Sequence, residues 1–120
     1  MHPSYGAGHA TVAGACVTIL KAFFDHGYVL PQPYTISRDG SQLASTAQAL
    51  TLTVEGELNK LAANISIGRN WAGVHFFTDY YESARLGEKI ALGILEEQKL
   101  TYGENFSMTV PLFDGGNVRI

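Results

Sequence analysis

The chain has 120 residues, 46% apolar and 16% charged, with a net charge of −3 at neutral pH. That length suits one domain, and the acidic balance excludes the basic field that a nucleic-acid backbone requires. No apolar run approaches the ~18 residues of a membrane span. The charged share is below the usual ~25%, which fits a chain buried on several sides or cut from a larger body. Cys16 is the one cysteine, so no internal disulfide forms, and its apolar surroundings mark it as a small core residue. Met1 is followed by His2, Pro3 and Ser4 rather than by a basic and then an apolar region, so no signal peptide is legible. A soluble chain is expected, with its compartment left open.

Residues 2–8 read as a loop, broken by Pro3, Gly6 and Gly8. From His9 to about Asp25 the spacing of Val12, Cys16, Ile19, Leu20 and Phe23 predicts an amphipathic helix. Ala10, Ala13, Gly14 and Ala15 fill its other side, so this helix is able to pack closely on more than one neighbour. Residues 26–49 read as a connection rich in turn formers, in which Tyr34, Ile36 and the Asp39–Gly40 pair suggest a short hairpin. A second helix is predicted from about Thr53 to Arg69, with Val54, Leu58, Leu61, Ile65 and Gly68 as its repeat and Glu57–Lys60 as an exposed ion pair. After a break over 70–77, a third helix runs to Leu100. It is capped by Asp79 with Glu82 three residues on, and Leu86, Ile90, Ile94 and Leu95 form its stripe. The tail reads as extended chain with one turn at Gly115–Gly116. The fold class is mainly α, part of a helical bundle with an irregular or short β tail.

Two loop clusters carry chemistry. In His2-Pro3-Ser4-Tyr5-Gly6-Ala7-Gly8-His9, a glycine-flanked loop opens a helix. Its free N–H groups and helix dipole suit a tetrahedral oxyanion, and a histidine at its mouth can act as acid or base. In Arg69-Asn70-Trp71-Ala72-Gly73-Val74-His75, followed by Asp79, an arginine fork, an imidazole and a carboxylate stand close together. Plainer readings exist for both: a helix start with incidental histidines, and a core histidine followed by a capping aspartate. Three of the four histidines fall in these clusters; His26 reads as a surface residue.

Arg69, then five residues, His75, then three residues and Asp79, with Gly6-Ala7-Gly8-His9 upstream, resembles the pattern shared by vanadium haloperoxidases, type-2 phosphatidic acid phosphatases and class A acid phosphatases. The stretches HPSYGAGHATVAGACVTILKAFFD, EGELNKLAANISIGRNWAGVHFFTDYYES and ILEEQKLTYGENF are similar to the vanadium-dependent bromoperoxidases of red algae and their cyanobacterial relatives. The resemblance covers nearly the whole chain. It implies a vanadate cofactor bound through His75, with Asp79 orienting that ring. Arg69 and the Gly8 N–H would neutralise vanadate oxygens, His9 would serve as acid–base, and His2 would be a second histidine near the site. Hydrogen peroxide and a halide, bromide, are the implied substrates. An organic molecule is the acceptor, and a homo-oligomer the assembly.

Two departures stand out. Ala7 and Gly68 replace family serines; the first loss removes a hydrogen bond to vanadate worth roughly 1–3 kcal/mol if the oxygen stays buried. The Lys…Arg-Pro segment that opens the family pattern is not found: none of Lys21, Lys60, Lys89 and Lys99 precedes an Arg-Pro pair. Residues 1–120 are therefore expected to be the C-terminal part of a haloperoxidase bundle domain, incomplete and of low activity. The alternatives are a phosphatase with His75 as nucleophile and His9 as proton donor, and a non-catalytic fragment needing a partner chain.

Overall fold

Residues 4–31, 33–45 and 51–120 are described by the computed structural model. In chain order the elements are α1 (Gly8–Phe23), β1 (Tyr34–Ile36), β2 (Leu43–Ser45), α2 (Val54–Trp71), α3 (Phe77–Lys99), β3 (Thr109–Pro111) and β4 (Asn117–Arg119). The strands form two antiparallel hairpins, β1–β2 and β3–β4. The first carries the expected turn at Gly40, with φ +74, and the second turns at Gly115, with φ +86.

The helices pack through small residues. On α1 the buried positions are Ala10, Ala13, Gly14, Val17, Thr18 and Lys21; on α3 they are Asp79, Ser83, Gly87, Glu88 and Ala91. A Cβ added to Gly14 would lie 2.2 Å from the Ala84 carbonyl oxygen, and one added to Gly87 would lie 2.0 Å from that of Thr11. The α1 and α3 backbones are thus in direct contact, which glycine alone permits. Buried hydroxyls are satisfied within their own helices: Thr18 donates to the Gly14 carbonyl at 2.8 Å and Ser66 to that of Ala62 at 2.7 Å. Helix α2 runs antiparallel to α1. Val54 N–H meets the Tyr28 carbonyl at one end, while Ile65 faces the first turns of α1 at the other.

Leu58 of the expected α2 stripe packs against the core of Ala13, Val17 and Ala62, but much of the expected apolar stripes faces outward. Val12 and Phe23 on α1 are 63% and 78% exposed; Leu61 and Ile65 on α2, and Leu86, Ile90 and Ile94 on α3, are also exposed. Cys16 is exposed as well, so it is not a core residue. Periodicity distinguishes two faces on each helix, and hydrophobicity alone favours the larger side chains as the inner set. Close backbone packing put the small face inside instead. The radius of gyration, 16.8 Å, exceeds the ~13.6 Å expected for a compact globule of this length, as suits a module with open faces.

Lys21 is the largest fully buried side chain among the described residues. Its Nζ lies 3.9 Å from Glu88 Oε1 and 4.2 Å from the Phe113 ring centroid. Glu88 Oε1 also accepts the Phe113 N–H at 2.7 Å. This group ties the C-terminal hairpin to α1 and α3.

No described helix is long and apolar enough to cross a membrane.

Candidate functional site

The loop before α1 turns at Gly6, whose φ of +88 lies in the left-handed region. Ala7 is the N-cap of α1 and offers no side-chain cap. Its N–H is donated instead to Ser83 Oγ across the α1–α3 interface, at 2.9 Å. Thr11 N–H returns to the Ala7 carbonyl, so the N–H groups of Gly8, His9 and Ala10 have no partner within the helix. The first turn holds no acidic residue. Nothing there competes with an anion for the positive end of the dipole.

The second cluster sits where α2 gives way to α3. Gly73, with φ +73, reverses the chain, and Val74 N–H returns to the Arg69 carbonyl. The two clusters meet. Ser4 N–H donates to the Val74 carbonyl at 3.1 Å, and His75 Nδ1 lies 2.8 Å from the Ser4 carbonyl oxygen. A carbonyl oxygen only accepts, so Nδ1 carries the proton. In the neutral ring this leaves the lone pair on Nε2, where it can serve as ligand or nucleophile.

The backbone of Ser4 therefore does for His75 what Asp79 was expected to do. Asp79 is buried, but its Oδ2 accepts the Phe76 N–H at 2.8 Å. The N-cap of α3 is Phe76 and Asp79 is the third residue of the first turn, so the expected cap at Asp79 is also displaced. The physical reason is geometric: a carboxylate at that position reaches back to the first orphan N–H, and the ring already has a partner.

Arg69 is half-buried in the last turn of α2, and its Nε is enclosed without a hydrogen-bond partner among the described residues. It stands one turn beyond Ile65 on the same helix face. Ile65 lines an open apolar groove with Gly8, His9, Val12, Ala13 and Cys16, and Arg69 is not among its lining residues. His9 is exposed at that start. His2 lies outside the described residues. A more enclosed cavity of about 170 Å³ lies between α2, α3 and Phe113–Asp114, and no expected site residue lines it.

One imidazole, one guanidinium and a helix start make a donor set for a tetrahedral oxyanion rather than for a bare cation. Among the described residues, no group of three or more His, Cys, Asp or Glu side chains is arranged to hold a metal ion. Sequence reasoning missed Ser4 and Ser83. The Ser4 role belongs to its backbone and leaves no trace in residue type; Ser83 was traceable only as a small polar residue four positions after Asp79.

The fold, with its two loops joined at Ser4 and His75, defines a helical-bundle module. Residues 1–102 match the family model of the VCPO second helical-bundle domain, and the chain belongs to that family, among the vanadium-dependent haloperoxidases. It is 61% identical over 119 residues to a vanadium-dependent bromoperoxidase of Corallina pilulifera, covering 99% of this chain and 20% of that protein. A vanadium-dependent bromoperoxidase of Ascophyllum nodosum is 37% identical over 122 residues, covering 99% and 22%. The homohexameric structure of the second vanadate-dependent bromoperoxidase from Ascophyllum nodosum superposes with a TM-score of 0.87 at 29% identity, over 98% of this chain and 25% of that one. The chain thus spans about a fifth of the length of the relatives it matches.

Proposed function

We propose that this chain supplies the vanadate-binding histidine and the helix-start half of the site of a bromoperoxidase, which oxidises bromide with hydrogen peroxide to a hypohalous acid equivalent. The observation that carries the reading is the His75–Ser4 contact, which frees Nε2 at the junction of the two loops. The residues fit the anion: the enclosed Arg69 Nε has no acceptor among the described residues, and the first turn of α1 has N–H groups without a partner in the helix and no carboxylate. His75 Nε2 would bind vanadium; Arg69 and the Gly8 N–H would hold its oxygens. When bound, vanadate supplies a Lewis acid that polarises peroxide without changing its own oxidation state.

The chain's own residues do the rest. His9, exposed at the mouth, accepts and returns a proton during peroxide binding and product release, and His2, which lies outside the described residues, is the second histidine that the family resemblance assigns to the site. Asp79 orders the peptide that follows His75. An organic molecule takes up the oxidised halogen. Self-assembly is part of the proposal, since a relative forms a homohexamer and the apolar stripes here face outward.

Orthovanadate titration followed by ⁵¹V NMR, with a bromination assay in peroxide and bromide, tests the reading. Vanadate binding that vanishes in His75→Ala supports it; equal binding by parent and variant overturns it. Hydrolysis of a phosphomonoester without bromination would place the chain among the phosphatases of the superfamily.

A further inference from the structure

Asp79 and Ser83 stand four residues apart on α3, one above the other on a single face. They are only 3% and 7% exposed. Each accepts a backbone N–H from a different loop of the site. Asp79 Oδ2 takes that of Phe76, next to His75, and Ser83 Oγ takes that of Ala7, next to Gly8. The same face continues to Gly87, which lies against the α1 backbone at Thr11 and Ala15. One rigid helix therefore sets the separation between the imidazole and the start of α1.

We propose that Ser83 is a positioning residue of the oxyanion site: its hydroxyl holds the Ala7 peptide so that the N–H groups of Gly8 and His9 stay aimed at the anion. The inference rests on the oxyanion reading of those loops. Three observations support it. Ala7 caps α1 without a side-chain oxygen, and although Thr11 holds its carbonyl, the Ala7 N–H finds its acceptor only on α3. Gly6 and Gly8 flank it with open space where a Cβ would stand, so no neighbouring side chain packs the Gly6–Ala7 peptide in place. The Ser83–Ala7 bond joins residues 76 positions apart and ties the Ala7 peptide to α3. A donor stabilises an anion only when it is already oriented.

The test is titration of orthovanadate into the ¹⁵N-labelled chain, following the Ala7, Gly8 and His9 amides in the parent, Ser83→Ala, Ser83→Cys and Ser83→Thr. Ser83→Cys keeps the volume with a poor acceptor, and Ser83→Thr keeps the hydroxyl. Affinity is expected to fall about tenfold in the first two variants, the worth of one hydrogen bond to a charged oxygen, and to return in Ser83→Thr. Ala7 amide exchange should quicken in step with the loss. Affinity in Ser83→Ala within about twofold of the parent overturns the role of Ser83 and leaves the oxyanion reading standing, even if thermal stability falls. Absence of any response in the parent overturns that reading, and the role of Ser83 with it.

Discussion

The Ser4 carbonyl oxygen lies 2.8 Å from His75 Nδ1, and the Ser4 N–H is bonded to the neighbouring Val74 carbonyl. One residue of the first loop is thus held at both its donor and its acceptor by the second loop, 70 or more positions away in sequence. The pair of bonds fixes both the tautomer and the orientation of the ring.

Because only the backbone of Ser4 takes part, Ser4→Ala should be nearly silent. Ser4→Pro removes the donated bond and should weaken vanadate binding, with about 1 kcal/mol lost in stability. Long-range ¹H–¹⁵N NMR of the imidazole checks the mechanism. The parent should show the proton on Nδ1, and Ser4→Pro should show a tautomer mixture.

Gly14→Ala and Gly87→Ala should each destabilise the chain by roughly 3 kcal/mol or more. On propensity alone, glycine to alanine within a helix stabilises by about 1 kcal/mol. The sign reverses here because the new methyl group would meet the backbone of Ala84 or Thr11, which cannot give without separating the helices. Urea unfolding of the two variants decides between the effects.

Burial pushes the Lys21 pKa below its ordinary 10.5, against the opposing attraction of Glu88 and Glu55. Between that lowered value and 10.5 the unfolded chain holds a proton that the folded chain lacks, so the Lys21 contribution rises as pH rises through this interval. A Lys21→Met variant should lack the rise. At neutral pH it should be as stable as the parent or more so, whereas Glu88→Gln should cost roughly 3–5 kcal/mol by leaving the ammonium unpaired. Denaturant midpoints between neutral and alkaline pH measure both.

Arg69→Ala should lower vanadate affinity more than tenfold, and Arg69→Lys should recover only part of it, because a single ammonium cannot replace the guanidinium fork. The family's Lys…Arg-Pro segment is not among these 120 residues, so the chain alone should bind vanadate weakly and brominate slowly. Full family-level turnover by the purified chain would contradict this.

The outward stripes of Val12 and Phe23, and of Leu86, Ile90 and Ile94, form apolar surface that water does not stabilise. The isolated chain should therefore self-associate in size-exclusion chromatography, and Ile90→Glu should shift it towards the monomer. Elution of the parent as a clean monomer would count against the expectation.

Much of the architecture was readable in advance, for identifiable reasons. Gly27, Thr53, Gly73 and Gly103 punctuate the chain strongly enough to bound three helices. Asp39–Gly40 carries enough turn chemistry to suggest the first hairpin, and Gly115–Gly116 marks the turn of the tail, whose pairing into β3–β4 was not legible. The spacing from Arg69 to His75 to Asp79, with Gly8-His9 upstream, was specific enough to name the family. The partner of His75 was not readable, because a backbone carbonyl has no residue type. The cap of α3 is Phe76 rather than the expected Asp79, because an aspartate suits both the cap and the third residue of the first turn, and only chain direction at Phe76 separates the two.

Local periodicity located the three helices, and motif spacing nominated the side chains of the candidate site. Tertiary structure alone decided which face of each helix lies inside. An amphipathic repeat distinguishes two faces but says nothing about what covers each. Here the contact of the α1 and α3 backbones at Gly14 and Gly87 turned the small faces inward and left the large apolar side chains outside.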